Sequence, residues 1–191
     1  LSSADVRANE GHEHLAKQIV EALIGCGNRV YDADHANDDD SDVRKTALHY
    51  ALENENFDLA AYLVEKGRAE GENSTRLSPS ALLVAASKPS VPIPLFESIY
   101  NSASANPPND SNKMQASSDV VALHIAASAG NVAVLQFLID RGVSVDAPSE
   151  HNESTALFLA ASNAPHELCL RAVQILEKGG ADPKKLNRNG E

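Results

Sequence analysis

The chain repeats itself. Thr46-Ala47-Leu48-His49-Tyr50-Ala51 returns as Val121-Ala122-Leu123-His124-Ile125-Ala126, every position matched at one constant offset. Each copy is followed at the same distance by an apolar stripe and a glycine: Leu59, Leu63 and Gly67 in the first, Val134, Leu138 and Gly142 in the second. No other feature limits the fold so strongly. A unit of a few tens of residues cannot bury its own apolar face, so a chain built from such units must stack them.

Two further copies reduce the offset to a basic period. Ser80-Ala81-Leu82-Leu83-Val84-Ala85-Ala86 follows Thr46 by the same interval at which Thr155-Ala156-Leu157-Phe158-Leu159-Ala160-Ala161 follows Val121. That interval is a little under half of the first offset, which therefore holds two units plus an insertion. Upstream, Gly11-His12-Glu13-His14-Leu15 through Gly27 aligns without gaps to Ala164-Pro165-His166-Glu167-Leu168 through Gly180. This marks an N-terminal unit with a weakened first helix around Ala4 to Ala8.

The residue types predict two helices per unit. The first is short and small-sided, with Ala51, Ala85-Ala86, Ala126-Ala127 and Ala160-Ala161 allowing close approach. The second is amphipathic at three-and-four spacing, as in Leu59 and Leu63 or Val134 and Leu138. Gly67, Gly142 and Gly180 are expected just past the second helices, where a left-handed cap is easiest without a side chain.

A period of about 33 residues, headed by Thr-x-Leu-His-x-Ala, resembles the ankyrin repeat, most strongly at Thr46–Gly67 and Val121–Gly142. The resemblance covers nearly the whole chain. It implies an all-α fold, a solenoid of stacked helix–turn–helix units with hairpin loops. About five irregular units are expected, near 1–41, 42–75, 76–116, 117–150 and 151–186, with a further unit starting at 187–191. The turn-like Asn187-Arg188-Asn189-Gly190-Glu191 and the lack of an initiator Met give the expectation of a piece of a longer protein.

Three places depart from the period. Residues 31–42 form an acidic loop without the glycine and glutamate that an EF-hand calcium loop requires at its sixth and twelfth positions. Its simplest reading is a solvated segment, and the rival is contact with a basic partner through Asp38, Asp39 and Asp40. In the third unit, Pro89, Pro92 and Pro94 crowd the turn, so the second helix should begin near Pro94 and stay short, through Leu95, Phe96, Ile99 and Tyr100. The Ser/Asn/Pro/Ala-rich stretch 101–119 reads as a flexible insertion. The fifth unit is longer before Gly180 by roughly one helical turn.

Candidate chemistry is sparse. The net charge of −11 argues against general nucleic-acid binding, which needs clustered Lys and Arg. No apolar run approaches a membrane span, and no secretory signal opens the chain. Cys26 and Cys169 lack CxxC spacing and read as packed, reduced thiols of an intracellular protein. The three glycosylation sequons, at Asn73, Asn109 and Asn152, are chance matches under that reading. His12-Glu13-His14 lacks the third and fourth ligands that zinc sites require. The resemblance assigns His49 and His124 to hydrogen bonds within the turn and to the next unit's backbone. Val121 removes the usual hydroxyl companion of His124, while Leu83 and Phe158 replace the histidine altogether. No nucleophile-elbow, phosphate-loop, dinucleotide, metalloprotease or kinase signature is present, so neither enzymatic activity nor a cofactor or metal is expected.

By the resemblance, a partner would be held on a concave face made by first helices and loop tips. The loop positions are Val43 and Lys45, Arg76 and Pro79, Ser118 and Val120, and Asn152 and Ser154. The outward positions at first-helix ends are Glu53 and Asn54, Ser87 and Lys88, Ser128 and Ala129, and Ser162 and Asn163. The row is small, polar and mixed in charge, and it contains neither Trp nor Tyr, the usual hot-spot side chains. The leading expectation is a non-catalytic adaptor or scaffold module, monomeric and intracellular (cytoplasmic or nuclear), binding a protein partner. The alternatives are a regulatory or substrate-recruiting segment of a larger multidomain enzyme and a cytosolic array of a membrane protein.

Overall fold

The computed structural model describes residues 47–69, 79–104, 111–149, 153–185, 187, 188 and 190. Among them are eight helices and no strand, in two units divided at Ser78 and Pro79. The N-terminal unit near 1–41, the acidic loop 31–42 and the boundary near 76 lie outside the described residues.

In the first unit, α1 (Ala47–Glu53) packs on α2 (Phe57–Ala69). Leu48, Ala51 and Leu52 of α1 and Ala60, Leu63 and Val64 of α2 form its core. The turn between them is closed by Glu55, at φ 56°, and by Asn56, whose Oδ1 accepts the Leu59 N–H at 3.1 Å. Gly67 does not follow α2 as the sequence led us to expect. It is buried inside the helix, which continues to Ala69. A helical glycine costs about 1 kcal/mol relative to alanine, too little to stop a helix anchored by three buried apolar side chains.

The second unit contains three helix pairs: α3 (Pro79–Ala86) with α4 (Ile93–Ser104), α5 (Ser111–Ala129) with α6 (Val132–Asp140), and α7 (Ala156–Asn163) with α8 (His166–Lys178). The first helices stack in the order α3–α5–α7 and the second helices in the order α4–α6–α8, giving two layers. The first layer is lined by Ala81, Ala85, Ala86, Ala122, Ala126, Ala127, Ala156 and Ala160, all 1% exposed or less. Small side chains let these helices lie close. The second layer is sealed by Phe96, Tyr100 and Phe137. Phe137 meets the other two rings edge-on at 5.4 Å, and Arg141 covers Tyr100 and Phe137 while pairing with Glu97 at 2.8 Å.

The caps follow residue chemistry. Asn131 and Thr155 open α6 and α7, their side chains accepting the Val134 and Phe158 N–H groups. Pro165 stands before α8 and offers no side-chain cap. Gly142 and Gly180, at φ 82° and 92°, close α6 and α8 as the sequence predicts. The Val143 N–H then returns to the Leu138 carbonyl at 3.1 Å, and the Ala181 N–H to Leu176 at 3.0 Å. The extra turn read in the last repeat is visible in the helix lengths, 13 residues in α8 against 9 in α6.

Composition misleads in the third repeat. Its second helix begins at Ile93, beside Pro94, but extends over 12 residues and is not short. Proline is tolerated in a first turn because that turn's N–H groups lack helical acceptors anyway. Beyond it, the buried faces of Leu95, Phe96, Ile99 and Tyr100 carry the helix onward. The stretch 101–119 is not a flexible insertion throughout: 101–104 finish α4 and 111–119 open α5. Polar residues adopt helix here because they extend an existing buried helix and need no nucleus of their own.

Candidate protein-binding surface

Within the second unit, the C-terminal ends of the stacked first helices bring equivalent positions of successive repeats side by side. Ser87 and Lys88 follow α3, Ser128 and Ala129 end α5, and Ser162 and Asn163 end α7. Ser162 and Asn163 are exposed, and the other four are half-buried. The Ser87 hydroxyl turns back to donate to the Val84 carbonyl at 2.7 Å, which keeps its profile low. Apart from Lys88 and Asn163, the row consists of small side chains. In the first unit, Glu53 is half-buried and Asn54 exposed, with the Asn54 amide donating to the Tyr50 carbonyl at 2.8 Å.

The loop positions divide. Ser118 and Val120 are half-buried within α5 itself, not on a loop tip. Pro79 is the first residue of α3. Ser154, expected to be exposed, is fully buried. Bonds to Ser149 hold it inward: the Ser149 N–H donates to the Ser154 carbonyl at 2.9 Å, the Ser154 N–H donates to Ser149 Oγ at 3.1 Å, and the neighbouring Glu153 adopts φ 57°. Val43, Lys45, Arg76 and Asn152 lie outside the described residues, as do Asp38, Asp39 and Asp40.

Two side chains escape a reading of the sequence. Tyr50 is 55% exposed, and its helical spacing from Glu53 and Asn54 puts it on the same side of α1. It adds, in the first unit, an aromatic group to positions otherwise small and polar. The signal is present in the sequence, because Tyr50 sits between two buried signature residues, His49 and Ala51, and must point elsewhere. Leu170, 66% exposed on α8, is a solitary apolar side chain of the kind most surfaces carry.

The signature histidines are structural. His49 and His124 are buried, and His124 Nε2 lies 2.9 Å from the Ala147 carbonyl in the loop after α6. Burial lowers the His124 pKa from 6.5, opposed by that hydrogen bond. The ring is therefore neutral near pH 7, with Nε2 carrying the proton as donor. Phe158 takes this position in the last repeat and cannot make the bond. The following loop is held by other means: Asp146 Oδ1 accepts the Asp182 N–H at 3.0 Å, and Lys185 Nζ donates to the Asp146 carbonyl at 2.6 Å. Arg188 adds an ion pair to Glu153 at 3.1 Å.

Phe158 also lines an open groove with Leu157, Ala161 and Val173, beside Glu177 and Lys185. Among the described residues no group of three or more His, Cys, Asp or Glu is placed to hold a metal ion. Nor is any helix among them long and apolar enough to cross a membrane.

Comparison with known proteins agrees with this architecture. A family model for ankyrin repeats, in three copies, matches residues 82–187. The chain is also 32% identical over 183 residues to a Danio rerio protein named Putative palmitoyltransferase ZDHHC13. That alignment takes in 94% of this chain but only 25% of the relative, so the chain spans about a quarter of that protein's length. The matched repeats, the two stacked helix layers and the signature histidines show that the chain belongs to the ankyrin-repeat family.

Proposed function

We propose that this chain is a non-catalytic protein-interaction module that holds a protein partner on the row made by its first helices. The observation that carries the reading is the register of Ser87, Ser128 and Ser162 at the ends of α3, α5 and α7, three equivalent positions set side by side. Such a row offers shape and hydrogen bonds to an extended partner surface. The acidic loop 31–42 and the chain's net charge of −11 favour a partner with a basic surface. The site is intracellular and the segment monomeric in this reading.

The test is affinity capture with the parent chain and a variant carrying Lys88→Glu, Ser128→Arg and Ser162→Arg, with circular dichroism as the folding control. Proteins held by the parent and lost by the folded variant support the row. An identical captured set rules it out.

A second reading is favoured by one observation, the similarity to a protein named as a palmitoyltransferase across 94% of this chain. Here the module is the substrate-recruiting segment of a larger enzyme, with the chemistry outside these residues. The same three substitutions in the full-length protein would then abolish acylation of the captured partner and spare acylation of a small nonspecific thiol acceptor. Equal loss with both acceptors would overturn it.

A further inference from the structure

α5 is out of proportion. It has 19 residues, whereas the first helices α1, α3 and α7 have 7 or 8. The excess lies at its N-terminal end. Val121 is the repeat equivalent of Thr155, the residue that caps α7. At Thr155 the backbone is extended and the hydroxyl accepts the Phe158 N–H at 3.3 Å, a capping bond that stops the helix. Val121 has no side-chain oxygen to offer. Nothing at that position ends the helix, and it runs upstream as far as Ser111. Of the equivalent residues before α7, Ser149, Glu153 and Ser154 are not helical.

The upstream sequence is balanced between the two forms. Lys113, Met114, Gln115 and Ala116 favour helix, whereas Ser111, Asn112, Ser117, Ser118 and Asp119 favour turns and caps. Alone, a segment of this length would not hold a helix. It propagates from the buried part of α5, at Ala122, Leu123, Ala126 and Ala127. It is also tied to α4, where the Tyr100 hydroxyl donates to Asp119 Oδ2 at 3.0 Å. Tyr100 is itself fixed between Phe96, Phe137 and Arg141.

We infer that the Tyr100–Asp119 hydrogen bond is a latch on a two-state element. Latched, residues 111–120 are helix; released, they become an inter-repeat loop of the kind that precedes α7. Ser118 and Val120 lie on this element. The functional consequence rests on the proposed binding reading, since the latch then decides whether these two residues meet a partner from a helix or from a loop.

Hydrogen exchange on the isolated chain, with no partner, tests the latch. In the parent, the amides of 115–120 are expected to be protected. Tyr100→Phe keeps the ring and removes the hydroxyl, and Val121→Thr keeps the shape and restores the cap. Each should speed exchange at 115–120 by about tenfold, the worth of one hydrogen bond to a charged group or one helix cap, and leave 123–129 unchanged. Open-chain exchange at 115–120 in the parent would overturn the inference. So would unchanged protection in both variants, or an equal rise along all of α5. Because no partner is used, any of these failures leaves the binding reading standing, and failure of the capture experiment leaves the latch standing.

Discussion

At Gly130 two constraints fall on one atom. Its φ of 70° disfavours any side chain, and a Cβ placed there would sit 2.7 Å from Leu168 Cβ, in the repeat that packs behind it. Gly142 shares the positive φ but faces open space. Gly142→Ala should therefore cost about 1 kcal/mol, and Gly130→Ala about 3 kcal/mol once the clash is added. Urea midpoints of the two variants separate strain from crowding; equal losses would refute the packing argument. The next residue, Asn131, is fully buried and acts in two directions. Its Oδ1 caps α6, while its amide donates to the Ala86 and Lys88 carbonyls at the end of α3, at 3.1 and 2.8 Å. Asn131→Ala should cost about 2–4 kcal/mol, since it removes a cap and strands one buried and one half-buried acceptor. His124 adds a pH dependence. Its folded pKa lies below 6.5 because burial disfavours the charged ring, so the unfolded chain takes up the proton first. Stability from this group is intact above 6.5 and falls as pH drops through 6.5 toward the lower folded value. Comparing denaturation midpoints at about pH 7.5 and about pH 5.5, His124→Gln should show a shallower loss than the parent; an unchanged slope would contradict the assignment.

Among the elements, the helices that the sequence shows most plainly are those whose local signals agree with their packing. Asn131 before an apolar three-and-four stripe, with Gly142 after it, delimits α6 at both ends. Gly180 does the same for the end of α8. Where local and tertiary signals conflict, tertiary packing wins. Gly67 fails to stop α2, and the Ser/Asn-rich residues 111–119 join α5 despite their composition. The substitution of Val121 for a capping hydroxyl is legible as a lost histidine companion, but its larger effect on helix length is not, because that depends on Tyr100 arriving from α4. Ser154 departs from expectation for a similar reason: hydrogen bonds with the Ser149 backbone and hydroxyl hold it inward. The α1–α2 turn offers a prediction at this scale. Glu55 occupies the Gly130-equivalent position at φ 56°. Glu55→Gly should stabilise the chain by about 1 kcal/mol, the penalty of a left-handed side-chain-bearing residue. A destabilised variant would mean that Glu55 contributes more through its own contacts than it loses through strain.

For the whole molecule, the repeat period predicts the architecture because each helix pair needs its neighbours to bury its apolar faces. In the second unit the two layers realise that requirement, and the ends of the first helices are left in a row as a consequence of the stacking. The row itself is readable from the repeat register. Its half-buried positions, and the aromatic Tyr50 in the first unit, emerge only from side-chain placement. The central claim, that this row meets a partner protein, is tested most directly by site-specific photo-crosslinking. A photoreactive side chain is placed at Ser128, at Ser162 and, on the exposed side of α8, at Gln174. The account predicts one shared protein adduct from Ser128 and Ser162 and none from Gln174. An adduct from Gln174 with none from the row would contradict it.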